Sequence, residues 1–443
     1  MSRGRRPPVA DRWHITAAGT GMVLAGAVLL TLGAFAGRGD VALVGAFPLV
    51  VGAWDVVRRP GGAVRAFLSP PAKSDDEGRL RATLRIEGPA GAAAVAVGVY
   101  RNAEQAADVL LALPDDEGPV ERRVPLVVHT VRTGPQEVAT VEAQAFGPGL
   151  VSASRPAEPT RRDTLVLPGT SPLRETPLPA RLRGLIGSHT SRRPGEGGDL
   201  RDVHPFHAGD RLRRIDWRVT AHRSPRLDEL YVRGEHALAE AAVMLVVDSR
   251  DEVGPDPRTW AGTRPVRIDD PTSLDIARRA AASVARAFLV AGDRVGLDDL
   301  GVVRRPLSPG GGRGQMDRIV HALALTKPEG FARHRVRSPR LPSGALVVVF
   351  STFLDDEPAE AAAAWRRIGH RVIAVDVLPQ LRTAHLAGRS ATAARIVLID
   401  REDRLADLAD VGVEVMSWRD DPATALAVLA RSDRRRPGAG VPR

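Results

Sequence analysis

Residues Ile15 to Ala36 form an apolar run without a single charge, a length that suits one bilayer-spanning helix. A second apolar run covers Val41 to Val57 and is broken only by Asp55 near its end, where it is expected at the membrane interface. Between them lies Gly37-Arg38-Gly39-Asp40, a connection so short that the two segments are expected to form a helical hairpin. Inside lipid the backbone has to satisfy its own hydrogen bonds, and paired helices do so. Arg3, Arg5, Arg6 and Arg12 precede the first run, and Arg58, Arg59 and Arg65 follow the second. The loop carries only Arg38, offset by Asp40. The bias of flanking positive charge predicts that both ends are cytoplasmic, with Trp13 and Trp54 as interfacial anchors. A competing reading takes Ala34-Phe35-Ala36 as a signal-peptidase site, but the first run is long for a signal sequence and a second follows at once. A twin-arginine signal fits less well, because Pro7-Pro8 follows Arg5-Arg6. The predicted location is a cell membrane, multi-pass, with the soluble part in the cytoplasm.

The chain has 443 residues, enough for two or three domains. It contains no cysteine, so disulfides and thiolate metal sites are excluded. The formal charge is +10, and Lys73 and Lys327 are the only lysines. A GC-rich codon bias accounts for so arginine-rich a chain. Attraction to anionic lipid or nucleic acid is the sharper alternative. The arginines are interleaved with acidic residues and few aromatics accompany them, so no nucleic-acid partner is expected.

From about Arg79 to Leu167 the pattern becomes one of short β-prone runs. These are Leu80 to Ile86, Ala93 to Tyr100, Val124 to His129 and Glu137 to Ala145, separated by Gly-, Pro- and Asp-rich turns. This spacing predicts a small all-β sandwich-like domain. A linker rich in Arg, Pro and Thr follows over Ala157 to Arg181. From about Ala241 strands and helices alternate. Val243–Val247, Ala345–Phe350 and Arg371–Val377 read as strands buried on both faces. Arg294–Leu300 and Val302–Arg305 read as a strand pair, Ile396–Ile399 as a further strand, and Val413–Met416 as the last. Helices are expected over Ser273–Val290, with Thr272 or Ser273 and Asp275 as capping groups, and over Gln315–Leu325, Glu357–Ile368, Asp403–Leu408 and Pro422–Leu429. Such alternation predicts a doubly wound α/β domain. The expected divisions are a cytoplasmic N-terminus and two-helix anchor (1–65), a β-rich domain and linker (66–180), a signature segment (181–240), the α/β domain (241–430) and a disordered basic tail (431–443).

The most specific stretch runs from Gly198-Asp199-Leu200-Arg201-Asp202-Val203-His204-Pro205-Phe206-His207-Ala208-Gly209-Asp210 through Arg211-Leu212-Arg213-Arg214-Ile215-Asp216-Trp217-Arg218-Val219-Thr220-Ala221. Gly209-Asp210 signals a turn. In an extended chain Arg214 and Asp216 would share a face, and Trp217 is large enough to anchor the segment against a neighbouring domain. The order Gly-Asp, Arg-x-Ile-Asp-Trp, Thr-Ala resembles the hallmark of the bacterial "domain of unknown function 58" family. The resemblance continues through Val232-Arg233, Glu240, Gly292-Asp293-Arg294-Val295-Gly296-Leu297 and Ser351-Thr352-Phe353-Leu354-Asp355. Upstream, Arg132 to Leu150, closing on Phe146-Gly147-Pro148-Gly149-Leu150, is similar to the family's β-rich preamble. His204, Phe206 and His222 depart from it, standing where Arg, Tyr and Arg are commoner.

What the resemblance implies is a von Willebrand factor type A-like C-terminal domain and an association with MoxR-type ATPases of the AAA+ class, without an enzymatic activity. Asp199, Arg201, Gly209, Asp210, Arg214, Asp216, Trp217 and Arg233 are the expected interaction residues. Type A domains often hold a divalent cation through Asp-x-Ser-x-Ser with a distal Thr and Asp. Here the first element is Asp248-Ser249-Arg250-Asp251-Glu252, in which Arg250 and Glu252 replace both serines. Gly310-Gly311-Gly312-Arg313-Gly314 lacks the threonine, and Thr352 stands where the aspartate would be. No metal or other cofactor is therefore expected. Mg²⁺ would need an irregular cluster of Asp248, Asp251, Glu252 and Asp355. In the opposing reading Arg250 pairs with Asp248 or Glu252 and closes the site. The glycine run lacks the Gly-Lys-Ser/Thr ending of a phosphate loop and reads as a plain loop. His204, His207 and His222 lie among arginines and are expected to be solvated or hydrogen-bonded rather than ligands. Asp210 and Asp216 are expected in ion pairs rather than as a catalytic pair.

The function these features predict is that of a membrane-anchored non-enzymatic scaffold or adaptor working with a MoxR-type AAA+ ATPase in assembly or envelope homeostasis. The alternative is a metal-dependent ligand-binding domain.

Overall fold

A computed structural model describes residues 13–73, 78–114, 119–183, 187–262, 264–302, 305–329 and 341–435; Arg3, Arg5, Arg6 and Arg12 lie outside them. The chain divides into two compact units, Met1–Thr130 with Pro135–Leu165, and Val131–Gly134 with Val166–Arg443.

In the first unit, helix α1 (Ala17–Phe35) and helix α2 (Gly39–Val57) are both long and apolar enough to cross a membrane. The residues they bury are mostly glycines: Gly19, Gly26 and Gly33 on α1, Gly45, Gly52 and Asp55 on α2. The glycines recur at a spacing of seven and so fall on one stripe of each helix. A Cβ on Gly33 would lie 2.3 Å from Ala42 N, and one on Gly45 2.3 Å from Leu30 N. The backbones are therefore in contact, while Leu24, Leu32, Leu43 and Phe47 point outward and are exposed.

The rest of this unit is built on two antiparallel sheets. One joins β1 (His14–Ile15), β9 (Ser152–Ala153), β8 (Gly134–Phe146), β5 (Ala94–Arg101) and β6 (Glu104–Ala112) in that order, with β10 (Thr160–Val166) also pairing with β8. The other has β4 (Arg79–Gly88) flanked by β2 (Arg65–Leu68), β3 (Ala72–Lys73) and β7 (Val120–His129). Both follow the two-residue alternation of half-buried strands. Ala82, Leu84 and Ile86 of β4 share a core with Val95, Val97, Val141 and Ala143 of β5 and β8. Strand β10 falls within the stretch expected to be a linker. Strand β6 went unforeseen because it is exposed along nearly its whole length and so carries no apolar alternation to read.

Asp55, expected at a membrane interface, is fully buried. Its carboxylate accepts hydrogen bonds from Gly149 N at 3.0 Å and Ser152 N at 2.5 Å. Thr16 caps α1 by accepting from Gly19 N and donates its hydroxyl to Val151 O. The loop 147–152 is thus fastened to both helices. Gly147 and Gly149 permit the approach, since a Cβ on Gly147 would lie 2.2 Å from Asp55 Oδ1.

The second unit opens with a long antiparallel ribbon, β11 (His189–Pro205) against β12 (Tyr231–Ala239), with register shifts along it. A 3-10 turn (Leu212–Arg214) and helix α3 (Trp217–Arg223) fill the connection. Then follow β13 (Ala242–Val247), α4 (Ser273–Val290), β14 (Arg294–Asp299), β15 (Leu307–Gly310), α5 (Arg313–Leu325), β16 (Leu346–Ser351), α6 (Glu357–Arg367), β17 (Arg371–Asp376), α7 (Gly388–Asp410), β18 (Glu414–Ser417) and α8 (Pro422–Arg435). The sheet order is β15-β14-β13-β16-β17-β18. All neighbours are parallel except β15, which is antiparallel to β14.

The central strands are buried on both faces, which is why they read as continuous apolar runs. Val243, Leu245 and Val247 pack under α4, α5 and α8, while Met244 and Val246 pack under α6 and α7. Thr272 and Asp275 form a reciprocal capping box at the start of α4.

Three expectations need correction. Ile396–Ile399 is not a strand but part of α7, which is continuous from Gly388 to Asp410 and also absorbs the helix expected at Asp403–Leu408. The buried residues of α7, Ala394, Arg401 and Leu408, are seven apart, and this helical stripe outweighs the β-branched run. Strand β14 pairs with Leu307–Gly310; of the expected partner Val302–Arg305, residues 303 and 304 lie outside the described residues. The stretch from Arg431, expected to be disordered, is helical to Arg435, and the remaining tail lies outside the described residues.

Candidate functional site

In the second unit β13 leads to β14 on one side, while its other neighbour β16 leads to β17 on the opposite side. Between their C-terminal ends lies the switch point at which open α/β sheets place their ligands. Asp248 follows β13 directly, and its N–H donates to Phe350 O on β16 at 2.9 Å. Its Oδ2 accepts from the Ser351 hydroxyl at 2.7 Å.

The Arg250 side chain, only 4% exposed, fills this crevice. Its Nε donates to Asp248 Oδ1 at 2.8 Å and its Nη2 to Asp248 Oδ2 at 2.9 Å. Nη2 also reaches Asp355 Oδ1 at 2.8 Å, and Nη1 reaches Glu357 Oε2 at 2.7 Å. Burial alone would lower the pKa of this guanidinium, but the hydrogen bond and charge of Asp248, with Asp355, raise it above its ordinary value. A planar fork matched to carboxylates suits such a position far better than an ammonium would.

The four carboxylates proposed for an irregular metal cluster do not converge. Asp248 and Asp355 share Arg250. Asp251 accepts from Thr352 Oγ1 at 3.0 Å. Glu252 is drawn to Arg132 Nη2 at 2.8 Å and Thr272 Oγ1 at 2.8 Å, so it is Arg132, not Arg250, that pairs with it. Burial, reinforced by the nearby Asp248 charge, pushes the Asp251 carboxyl up to about 7.

The loop after β16 turns at Phe353, a buried residue with φ of 53°, a conformation a bulky side chain adopts at a cost of order 1–3 kcal/mol. Two arginines of α7 hold it there: Arg401 Nε donates to Thr352 O at 2.6 Å and Arg404 Nη1 to Phe353 O at 2.8 Å. Neither arginine carried a recognisable motif in the sequence.

The signature residues fall elsewhere, on the β11–β12 ribbon and its connection. Asp199 accepts from Thr190 Oγ1 at 2.5 Å, and Arg201 pairs with Asp202 at 2.9 Å. Gly209 has φ of 108°, and Asp210 Oδ2 accepts from His207 N at 2.8 Å. Arg214 and Asp216 do not share the face of an extended chain. Arg214 ends the 3-10 turn and donates to Gly195 O at 2.9 Å. Asp216 is the N-cap of α3, accepting from Val219 N at 3.0 Å, with Arg233 at 3.8 Å. Buried Thr220 accepts from Tyr231 N at 2.9 Å, which fixes α3 on β12. Trp217, expected to anchor the segment, is 61% exposed. Glu196, missed in the sequence, draws Arg211, Arg213 and Arg214 together. Asp293 joins His189 Nε2 at 2.9 Å and Ala241 N at 2.8 Å, tying the ribbon to the first strand of the sheet. His204, His207 and Asp210 offer donor atoms within 4.8 Å of one another.

Residues 202–404 match the family model described as "Protein of unknown function DUF58". The match begins inside β11 and ends within α7, so it takes in the signature segment from Asp202 onward and the crevice filled by Arg250, while Asp199 and Arg201 lie before it. No curated protein matches the chain.

Proposed function

We propose that this chain is a membrane-anchored, non-enzymatic scaffold whose α/β domain is of the von Willebrand factor A type. A fixed guanidinium stands in that domain where relatives of the type hold a cation. The observation that carries this reading is the arginine fork itself. Arg250 meets Asp248, Asp355 and Glu357 at the sheet's switch point, so a dication there would face a buried positive charge. The strand order, with its single antiparallel edge strand, supports the type A assignment. Two apolar helices joined by a short loop support a multi-pass anchor, and the arginines flanking them favour cytoplasmic ends in the bacterial inner membrane. The partner we propose is a MoxR-type AAA+ ATPase, docking on the ribbon around exposed Trp217.

The test is crosslinking of the intact protein in native membranes, with partners identified by mass spectrometry, for the native chain and Trp217→Ala. Recovery of an AAA+ ATPase from the native chain, reduced in the folded variant, is expected. Recovery of no ATPase from either would overturn the partner. The orientation has its own test, because the chain lacks cysteine. Arg38→Cys should react with an impermeant maleimide from outside the cell, and Arg58→Cys only after permeabilisation.

A further inference from the structure

The turn that ends β11 gathers three side chains spaced three residues apart. His204, His207 and Asp210 each offer a donor atom within 4.8 Å of the other two. The His204 and His207 ring centroids are 5.9 Å apart, and His204 Nε2 lies 3.4 Å from Asp210 Oδ2. The backbone holding them is already closed. His207 N donates to Asp210 Oδ2 at 2.8 Å, Asp210 N donates to His207 O at 3.0 Å, and Gly209 takes the left-handed φ that the turn requires.

On the other side of its ring, His204 Nδ1 lies 3.3 Å from Asp202 Oδ1, and Asp202 is itself held by Arg201 at 2.9 Å. A carboxylate on one imidazole nitrogen fixes the tautomer and aims the other nitrogen at a metal. The arginines that would repel a cation here are engaged elsewhere: Arg211, Arg213 and Arg214 all meet Glu196. Glu196 offsets one of these three charges and draws the guanidinium groups to itself, an arrangement hidden in the sequence, from which these histidines read as solvated or hydrogen-bonded.

We propose that His204, His207 and Asp210 bind one zinc-class transition-metal dication. Two imidazole nitrogens and one carboxylate oxygen suit that class better than Mg²⁺ or Ca²⁺, which take oxygen ligands. Three protein ligands leave the fourth tetrahedral position to water. The donor atoms already lie within 4.8 Å of one another on a turn that is formed. The bound ion joins the end of β11 to the residues that lead into Arg214 and Asp216, stiffening the surface that carries Trp217. The site is independent of the Arg250 crevice and of the scaffold reading.

The test uses the full chain in detergent, freed of affinity tag and stripped of metal, then titrated with Co²⁺ and afterwards with Zn²⁺. The expected result is one Co²⁺ per chain with the intense visible bands of tetrahedral coordination, displaced by Zn²⁺. His207→Ala, at an exposed position, should abolish the bands, and His222→Ala should retain them. Asp202→Asn should weaken Zn²⁺ binding by about 10–100-fold through loss of the orienting carboxylate. No tetrahedral Co²⁺ spectrum from the native chain, or an undiminished one from His207→Ala, would overturn the proposal.

Discussion

Arg250 grips Asp248 with both arms of its guanidinium, Nε to Oδ1 at 2.8 Å and Nη2 to Oδ2 at 2.9 Å, and both side chains are almost fully buried. An ion pair of this kind is costly to break from one side, because the remaining charge stays in a poorly solvated place. Arg250→Met should destabilise the second unit by about 3–5 kcal/mol, read from urea unfolding. Arg250→Ser should open the acidic crevice to a cation. Its melting temperature should then rise on adding Mg²⁺, while that of the native chain stays unchanged.

Asp251 gives a pH dependence of definite sign. Burial and the Asp248 charge hold its carboxyl near about 7, against 3.8 in a free side chain. The folded state therefore binds the proton more tightly than the unfolded state. Stability from this group is fully present below the lower value and is lost as pH rises towards the upper one. Asp251→Asn keeps a neutral acceptor for Thr352. Its stability gain over the native chain should open between about pH 4 and about pH 7, up to about 4 kcal/mol, measured as the difference in unfolding midpoints.

The clamp on loop 147–152 can be tested through Asp55. Asp55→Leu leaves the N–H groups of Gly149 and Ser152 without their acceptor, at about 1–3 kcal/mol each. Limited proteolysis within the loop should accelerate, and Asp55→Asn, which keeps one acceptor oxygen, should fall between the two.

The glycine stripe makes a contrast within one helix. A Cβ on Gly33 or Gly45 would run into the facing backbone, whereas Gly21 has open space around it. Small residues let membrane helices approach where no hydrophobic force drives them together. Gly33→Leu and Gly45→Leu should lower the melting temperature in detergent, and Gly21→Leu should not.

What the sequence disclosed follows from the range of the forces involved. Strand β13 and the Thr272–Asp275 cap were readable because burial pattern and capping are local. Asp55 looked like an interfacial charge because its partners lie 94 and 97 residues away. The His204–His207–Asp210 spacing was visible, but that Glu196 collects Arg211, Arg213 and Arg214 was not, because the contact forms only when β11 and the turn fold together. The Ile396–Ile399 run imitated a strand because four apolar residues are too few to distinguish the two periods. The α7 arginines that support Phe353 were hidden for the same reason as the partners of Asp55: nothing near them in sequence marks where they reach.

The fastening of both helices to loop 147–152 has a consequence for the order of synthesis. The ribosome makes β1, α1 and α2 before the loop, and it reaches the N–H groups that donate to Asp55 only 94 to 97 residues after that carboxylate. At about 5–20 residues per second that is an interval of roughly 5–20 s. Throughout it the apolar hairpin carries a carboxylate with no partner, and β1 has no strand to join. The emergence of Ser152 and Ala153 is thus the event that completes the contacts of β1 and Asp55.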